Sequence, residues 1–117
     1  MKYIIALSMA VFMVIASVGI AATVYVQGNV ERTLIADQDR WGGCMIWIDQ
    51  VLSDQGLNCP GQWVSFSCTG TFTTKDVAYR MFDSAQMAYA LGKKIFIEVD
   101  DTKKHNGYCC ANRVDVF

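Results

Sequence analysis

Histidine occurs once in this chain, at His105, and proline once, at Pro60. A lone histidine without any Cys-x-x-Cys pair offers no ligand set for a structural zinc site, so no metal or cofactor is expected. The scarcity of proline, together with the absence of repeats and low-complexity tracts, leaves no linker at which to divide the chain. Basic clusters are missing too. Ten Lys and Arg stand against eleven Asp and Glu, a net charge of −1, and the densest basic pairs are Lys93-Lys94 and Lys103-Lys104. Phosphate recognition needs Lys and Arg gathered together, so a nucleic-acid partner is not expected. The lysine pairs read as solvated turns.

Long apolar runs are absent except at the start, which reads "MKYIIALSMAVFMVIASVGIAA". One cation, Lys2, precedes an apolar run from Tyr3 to about Ile20, the layout of a secretory signal peptide. Gly19-Ile20-Ala21 sets small side chains where a signal peptidase requires them, so cleavage before Ala22 is expected; Ser17-Val18-Gly19 is a second candidate. The run approaches the roughly 20 apolar residues of a membrane anchor. Membrane contact is therefore expected only through this leader, if it is left uncleaved. With 1–21 as signal peptide, 22–117 form one small domain, of a size that disulfides commonly support. The expected location is the periplasm or the outside of a bacterial cell.

The remaining chain alternates in several places. "TVYVQGNV" sets Val24, Val26, Gly28 and Val30 on one side, with Gly28 suggesting a bulge. "CMIWIDQVL" sets Cys44, Ile46 and Ile48 opposite Met45, Trp47 and Asp49. "QWVSFSC" puts Val64, Phe66 and Cys68 inward. The period then changes. Thr73 with Asp76 opens a capping-box-like start, Val77, Met81, Ala85 and Ala88 recur at helical spacing, and Gly92 supplies a left-handed stop. "KIFIEVDD" is a strand with Ile95, Ile97 and Val99 inward; "DTKKHNG" is a polar turn; "YCCANRVDVF" closes with Tyr108, Cys110, Val114 and Val116 on one parity. The order β-β-β-α-β-β predicts a mainly β, OB-fold-like five-stranded barrel with its helix plugging one end. An open antiparallel sheet packed on one helix is the alternative.

The stretch "MFDSAQMAYALGKKIFIEV" resembles the helix-to-strand region of the B subunits of subtilase- and typhoid-type toxins, through the spacing of Ala85, Tyr89, Gly92, Ile95 and Ile97 and a preceding cysteine-bearing strand pair. The resemblance covers about a fifth of the chain and lies in core residues. It implies an OB-fold and, by extension, a glycan- or protein-binding module that works in a ring of copies. No sugar-contacting residue of those toxins matches a position here.

Five cysteines follow the leader: Cys44, Cys59, Cys68, Cys109 and Cys110. Two disulfides and one free thiol are expected. Bridged Cα atoms lie roughly 4.4–6.8 Å apart and neighbouring residues about 3.8 Å apart. Partners of a tandem pair could thus be at most about 17 Å from each other, whereas Gln62 to Cys68 alone extends about 20 Å. One tandem cysteine therefore stays free or pairs between molecules. If the second and third strands fold back about Gly56, Cys44 and Cys68 stand opposite, leaving Cys59 for an outward Cys109 and Cys110 as a small buried hydrophobe. The alternative is Cys68–Cys110 with Cys44–Cys59.

Catalytic constellations are poor, and no enzyme is expected. Cys109 and Cys110 follow His105 across a turn, without an identifiable oxyanion site. Asp100 and Asp101 point apart by strand parity and read as a solvated turn. Asp37, Asp39 and Asp49 lack the spacing of a calcium loop. The aromatics are more informative. Trp47 and Trp63 face outward, as do Tyr25 and Phe96, and the outer face of the second and third strands is where OB-folds bind ligands. Trp47 and Trp63 are thus the candidate ligand-binding residues, with Trp41 in "DRWGG" ambiguous. Two functional classes stand open: a non-enzymatic binding module for a glycan or a protein, alone or as a homo-oligomer, and a monomeric structural accessory protein of the envelope with its aromatics packed internally.

Overall fold

The computed structural model describes residues 22–117, so the expected leader lies outside the described residues. Five strands and one helix follow in the order β1 (Thr23–Ile35), β2 (Cys44–Ile48), β3 (Trp63–Ser65), α1 (Lys75–Leu91), β4 (Lys94–His105) and β5 (Tyr108–Val116). The strands close into a barrel with neighbours β1-β2-β3-β5-β4. This is the expected OB-like barrel. Closure leaves no sheet edge to shield. It is completed by one parallel pairing, Ser65 with Cys110.

β1 serves two partners. Its first half, Thr23 to Asn29, pairs with β4, and its second half, Val30 to Ile35, pairs with β2. The irregularity falls between Val30 and Arg32, not at Gly28. Gly28 has a different reason. A Cβ there would sit 2.4 Å from Asp49 Oδ1. That carboxylate accepts the Asn29 backbone N–H at 2.8 Å and its side-chain amide at 3.0 Å, tying β1 to the end of β2. Burial acts to raise the Asp49 carboxyl, but the Asn29 bonds outweigh it and hold the group below its ordinary value.

The barrel interior holds Val26, Ile46, Ile48, Val64, Phe66, Ile95, Ile97 and Val99, all on the expected faces. The helix enters with Ala78, Phe82, Ala85 and Ala88 buried and Met81 half-buried against them. Val77, expected inward, is 44% exposed. Phe82 is the largest side chain on this side. Seating it against Phe66, with ring centroids 6.0 Å apart, rolls the helix by about one residue at its start. The cap shifts likewise: Thr74, not Thr73, accepts the Val77 N–H at 3.3 Å. Gly92 ends the helix in the left-handed region.

Regular pairing in β3 is shorter than its alternation suggests, because Ser67 takes φ +57° and turns the chain away. The ladder sets Met45 opposite Ser65, so Cys44 faces Phe66 rather than Cys68. The turn at Ser67 nonetheless brings Cys68 to Cys44. The bridges are Cys44–Cys68 and Cys59–Cys109, each with Cα atoms 5.7 Å apart, and Cys110 is free.

The second hairpin departs furthest from expectation. β4 runs on to His105 and turns at Asn106-Gly107, both at positive φ, the chemistry of a tight two-residue turn. An extra residue at Asn112, where pairing jumps from Glu98–Arg113 to Val99–Ala111, switches the parity of β5. Val114 and Val116 still face inward, but so do Cys109 and Ala111, while Cys110 lies outside the core cluster. The tandem cysteines are therefore reversed from the expected orientation. Cys110 is buried under the outer face, and that burial pushes its thiol up to about 11.

Asp100 and Asp101 point apart, but neither is solvated; they are 8% and 9% exposed. Asp100 accepts from Thr102 and Asn112. Asp101 accepts from the backbone of Ala22 and Asn58. Strand pairing carried past Asp100 is what buries them.

Candidate functional site

After the bulge in β1, Arg32 and Leu34 turn to the outer face, where Arg32 pairs with Trp47 and Leu34 with Met45. Trp47 in turn pairs with Trp63, and Met45 with Ser65. Three strands thus lay Arg32, Leu34, Met45, Trp47 and Trp63 on one surface. Trp47 meets Trp63 edge-on at 5.3 Å between centroids and 80° between planes. The Arg32 guanidinium sits 5.1 Å from the Trp63 ring centroid. A well-placed cation on an indole is worth about 0.5–1 kcal/mol at an exposed site, and an edge-on aromatic pair about as much again. Trp63 is therefore held from two sides.

Beside it opens a cleft of about 150 Å³ lined by Leu34, Trp41, Met45, Trp63 and Tyr108. Trp41 reaches it from a single helical turn, Arg40–Gly42, in which Trp41 itself adopts φ +51°. A bulky residue in that region is costly and persists only when its surroundings impose it. The Ser65 hydroxyl donates to the Trp41 carbonyl at 2.8 Å. Gly42, at φ +76°, passes so close that a Cβ would lie 2.4 Å from Ser65 Oγ and 2.6 Å from the His105 ring. The two glycines of "DRWGG" thus let the backbone graze the barrel and hang Trp41 over its outer wall.

His105 is not in a solvated turn. It is 6% exposed; Nε2 lies 2.9 Å from Ser67 Oγ, and Nδ1 lies 3.4 Å from Asp39 Oδ1. Phe72 packs edge-on against the ring at 5.1 Å. Hydroxyl, imidazole and carboxylate stand in the order of a nucleophile-activating relay. Yet Ser67 is 1% exposed, its oxygen already accepts the Phe72 N–H at 3.1 Å, and its own N–H donates to Ser65 Oγ at 3.1 Å. The Asp39 carboxylate is exposed and is shared with the Thr69 hydroxyl at 3.0 Å. Ser67 borders a polar cleft of about 260 Å³ that Thr73, Met81, Lys103 and Asn112 also line. The network joins the Trp41 loop, the segment before the helix and the β4–β5 hairpin, and that hairpin delivers Tyr108.

Of the two residues singled out from sequence, Trp63 lines the aromatic cleft and Trp47 buttresses it. Tyr25 and Phe96 stack at 5.0 Å on the β1–β4 side, away from it. Met45 shares the outward parity of Trp47 on β2, whereas Arg32, Leu34 and Tyr108 carried no signal in the alternation, because bulges shift the phase of both β1 and β5. Asp39 and His105 were separately visible and Ser67 was not; only the hairpin and the Ser67 turn bring the three together. Among the described residues, no group of three or more His, Cys, Asp or Glu is placed to hold a metal ion, and no helix is long and apolar enough to cross a membrane. The two bridges fit an oxidising environment.

Comparison with family models, with curated proteins and with solved structures gives no match to this chain.

Proposed function

We propose that this chain is an exported, non-enzymatic binding module whose recognition surface is the aromatic cleft on the outer face of β1, β2 and β3, and that its ligand is a glycan. The carrying observation is the convergence of Trp41, Trp63 and Tyr108 on one small concavity, with Arg32 fixed beside it. Indole and phenol rings offer flat apolar faces for the C–H face of a sugar, and Arg32 and Tyr108 supply donors for its hydroxyls. A cleft of about 150 Å³ admits one ring, not a chain. The resemblance of the helix-to-strand stretch to glycan-binding toxin subunits supports the same ligand class. A periplasmic or secreted location goes with the leader and the bridges. The non-enzymatic reading goes with the buried Ser67 hydroxyl, already engaged by the Phe72 N–H and His105.

A glycan array probed with the mature protein, followed by tryptophan-fluorescence titration of any hit, tests this reading. Trp63→Ala should reduce affinity at least tenfold, and Trp41→Ala comparably. Trp47→Ala should have a smaller effect, because Trp47 acts through Trp63. Equal binding by wild type and the Trp63→Ala and Trp41→Ala variants would remove the cleft from consideration.

A further inference from the structure

The first described residue is held unusually firmly. Ala22 N lies 2.7 Å from Asp101 Oδ1, and the Asp101 N–H donates back to the Ala22 carbonyl at 3.0 Å. The other carboxylate oxygen accepts the Asn58 N–H at 3.1 Å. Asp101 is 9% exposed, yet none of the four ion pairs among the described residues includes it. A nearly buried carboxylate without a cation is costly, and backbone N–H groups compensate it only in part. The missing positive charge has an obvious place to arise, the nitrogen already touching Oδ1.

We propose that Asp101 is the receptor for the α-ammonium of the mature chain, formed by hydrolysis of the Ala21–Ala22 bond. Water adds across that amide; the new carboxyl on Ala21 gives up its proton to solvent and leaves with the leader as a carboxylate, and the freed amine of Ala22 takes up a proton in its place. The resulting ammonium keeps its contact with Asp101 and exchanges a neutral hydrogen bond for a charge-assisted one. Two independent observations converge on the same bond. The pattern of small residues sets the cut before Ala22, and the fold sets a buried carboxylate at the nitrogen which that cut exposes. A cut after Gly19 would place the charge on Ile20, ahead of Ala22 and away from Asp101. β1 starts at Thr23, so the nitrogen cannot swing clear of the carboxylate. The barrel thus gains this ion pair only once the leader is gone. This inference rests on the exported reading above and is independent of the aromatic cleft.

The test exports the full chain to a bacterial periplasm and measures its intact mass, then titrates the ¹³C-dimethylated α-amine by NMR. Asp101 is the charged group hydrogen-bonded at this nitrogen, while Asp100 faces Thr102, Asn112 and Lys103. The expected chain begins at Ala22, and its α-amine titrates at least one unit above the ordinary value of about 7.7–8.0. The midpoint should fall back in Asp101→Asn and stay raised in Asp100→Asn. Should Asp101→Asn fail to fold, one extra alanine ahead of Ala22 leaves Asp101 intact and moves the charge away, so it should restore the ordinary midpoint. A chain beginning elsewhere overturns the cut. A chain beginning at Ala22 with an ordinary midpoint overturns the docking while leaving export intact.

Discussion

Replacing both Cys59 and Cys109 by alanine opens the larger of the two covalent rings. The bridge spans a sequence separation of 50, against 24 for Cys44–Cys68. On the chain-entropy account, constraining the unfolded ensemble is worth about 4 kcal/mol for the larger ring and about 3.5 for the smaller. All four sulfurs belong to residues at most 5% exposed, so the packing cost of the alanines is similar for both pairs. A domain of this size has roughly 5–15 kcal/mol in total, so either loss is a large share. The assay is urea unfolding followed by far-UV circular dichroism. With a slope near ~1.5 kcal/mol/M, the Cys59→Ala/Cys109→Ala midpoint should fall by roughly 2–3 M. Alanine pairs are preferable to reduction, because Cys110 neighbours Cys109 and would take part in reshuffling. A loss below about 1 kcal/mol for the 59–109 pair would refute the reasoning, since the apolar core alone would then hold the barrel.

Three further outcomes follow from named contacts. Phe82→Ala should cost about 3–5 kcal/mol in the same unfolding assay, while Val77→Ala stays within about 0.5; the reverse order would restore the helix face read from the sequence. Because the Asp49 carboxyl is held below its ordinary value, its contribution is complete above about pH 4 and is lost as pH falls through the folded value. The gap in urea midpoint between wild type and Asp49→Asn should therefore narrow between pH 6 and pH 2.5, and a constant gap would contradict the Asn29 bonds as its cause. Ser67 should stay unlabelled by a fluorophosphonate probe at pH 8, while His105→Ala should lower stability by about 1–3 kcal/mol, the cost of leaving a buried hydroxyl without its partner. Stoichiometric labelling that is lost in His105→Ala would instead identify an active nucleophile.

Much of the barrel was legible because its strands and helix carry clean periods. Ile95, Ile97 and Val99 alternate without interruption, and Met81, Ala85 and Ala88 stay within one helical stripe. What escaped has a common origin. Alternation assumes one residue per step, so an inserted residue silently sets the residues on its two sides out of phase, as Asn112 does for Cys109 and Cys110 before it and the Val30–Arg32 shift does for Leu34. Polar sequence also does not announce burial. "DDTKKH" looks like solvated turn, yet ladder pairing and the Ser67 turn supply Asp101 and His105 with partners that no local pattern could foretell. The aromatic cleft was half visible for the same reason: Trp47 and Trp63 lie on an undisturbed hairpin register, whereas Tyr108 and Leu34 lie beyond phase shifts.

The two bridges overlap along the chain: one ring runs from Cys44 to Cys68 and the other from Cys59 to Cys109. Every peptide bond between Cys44 and Cys109 is consequently enclosed by at least one of them. A protease that nicks the molecule once in this span, even in the long connection ahead of Trp63, releases no fragment. Both pieces stay covalently fastened to each other.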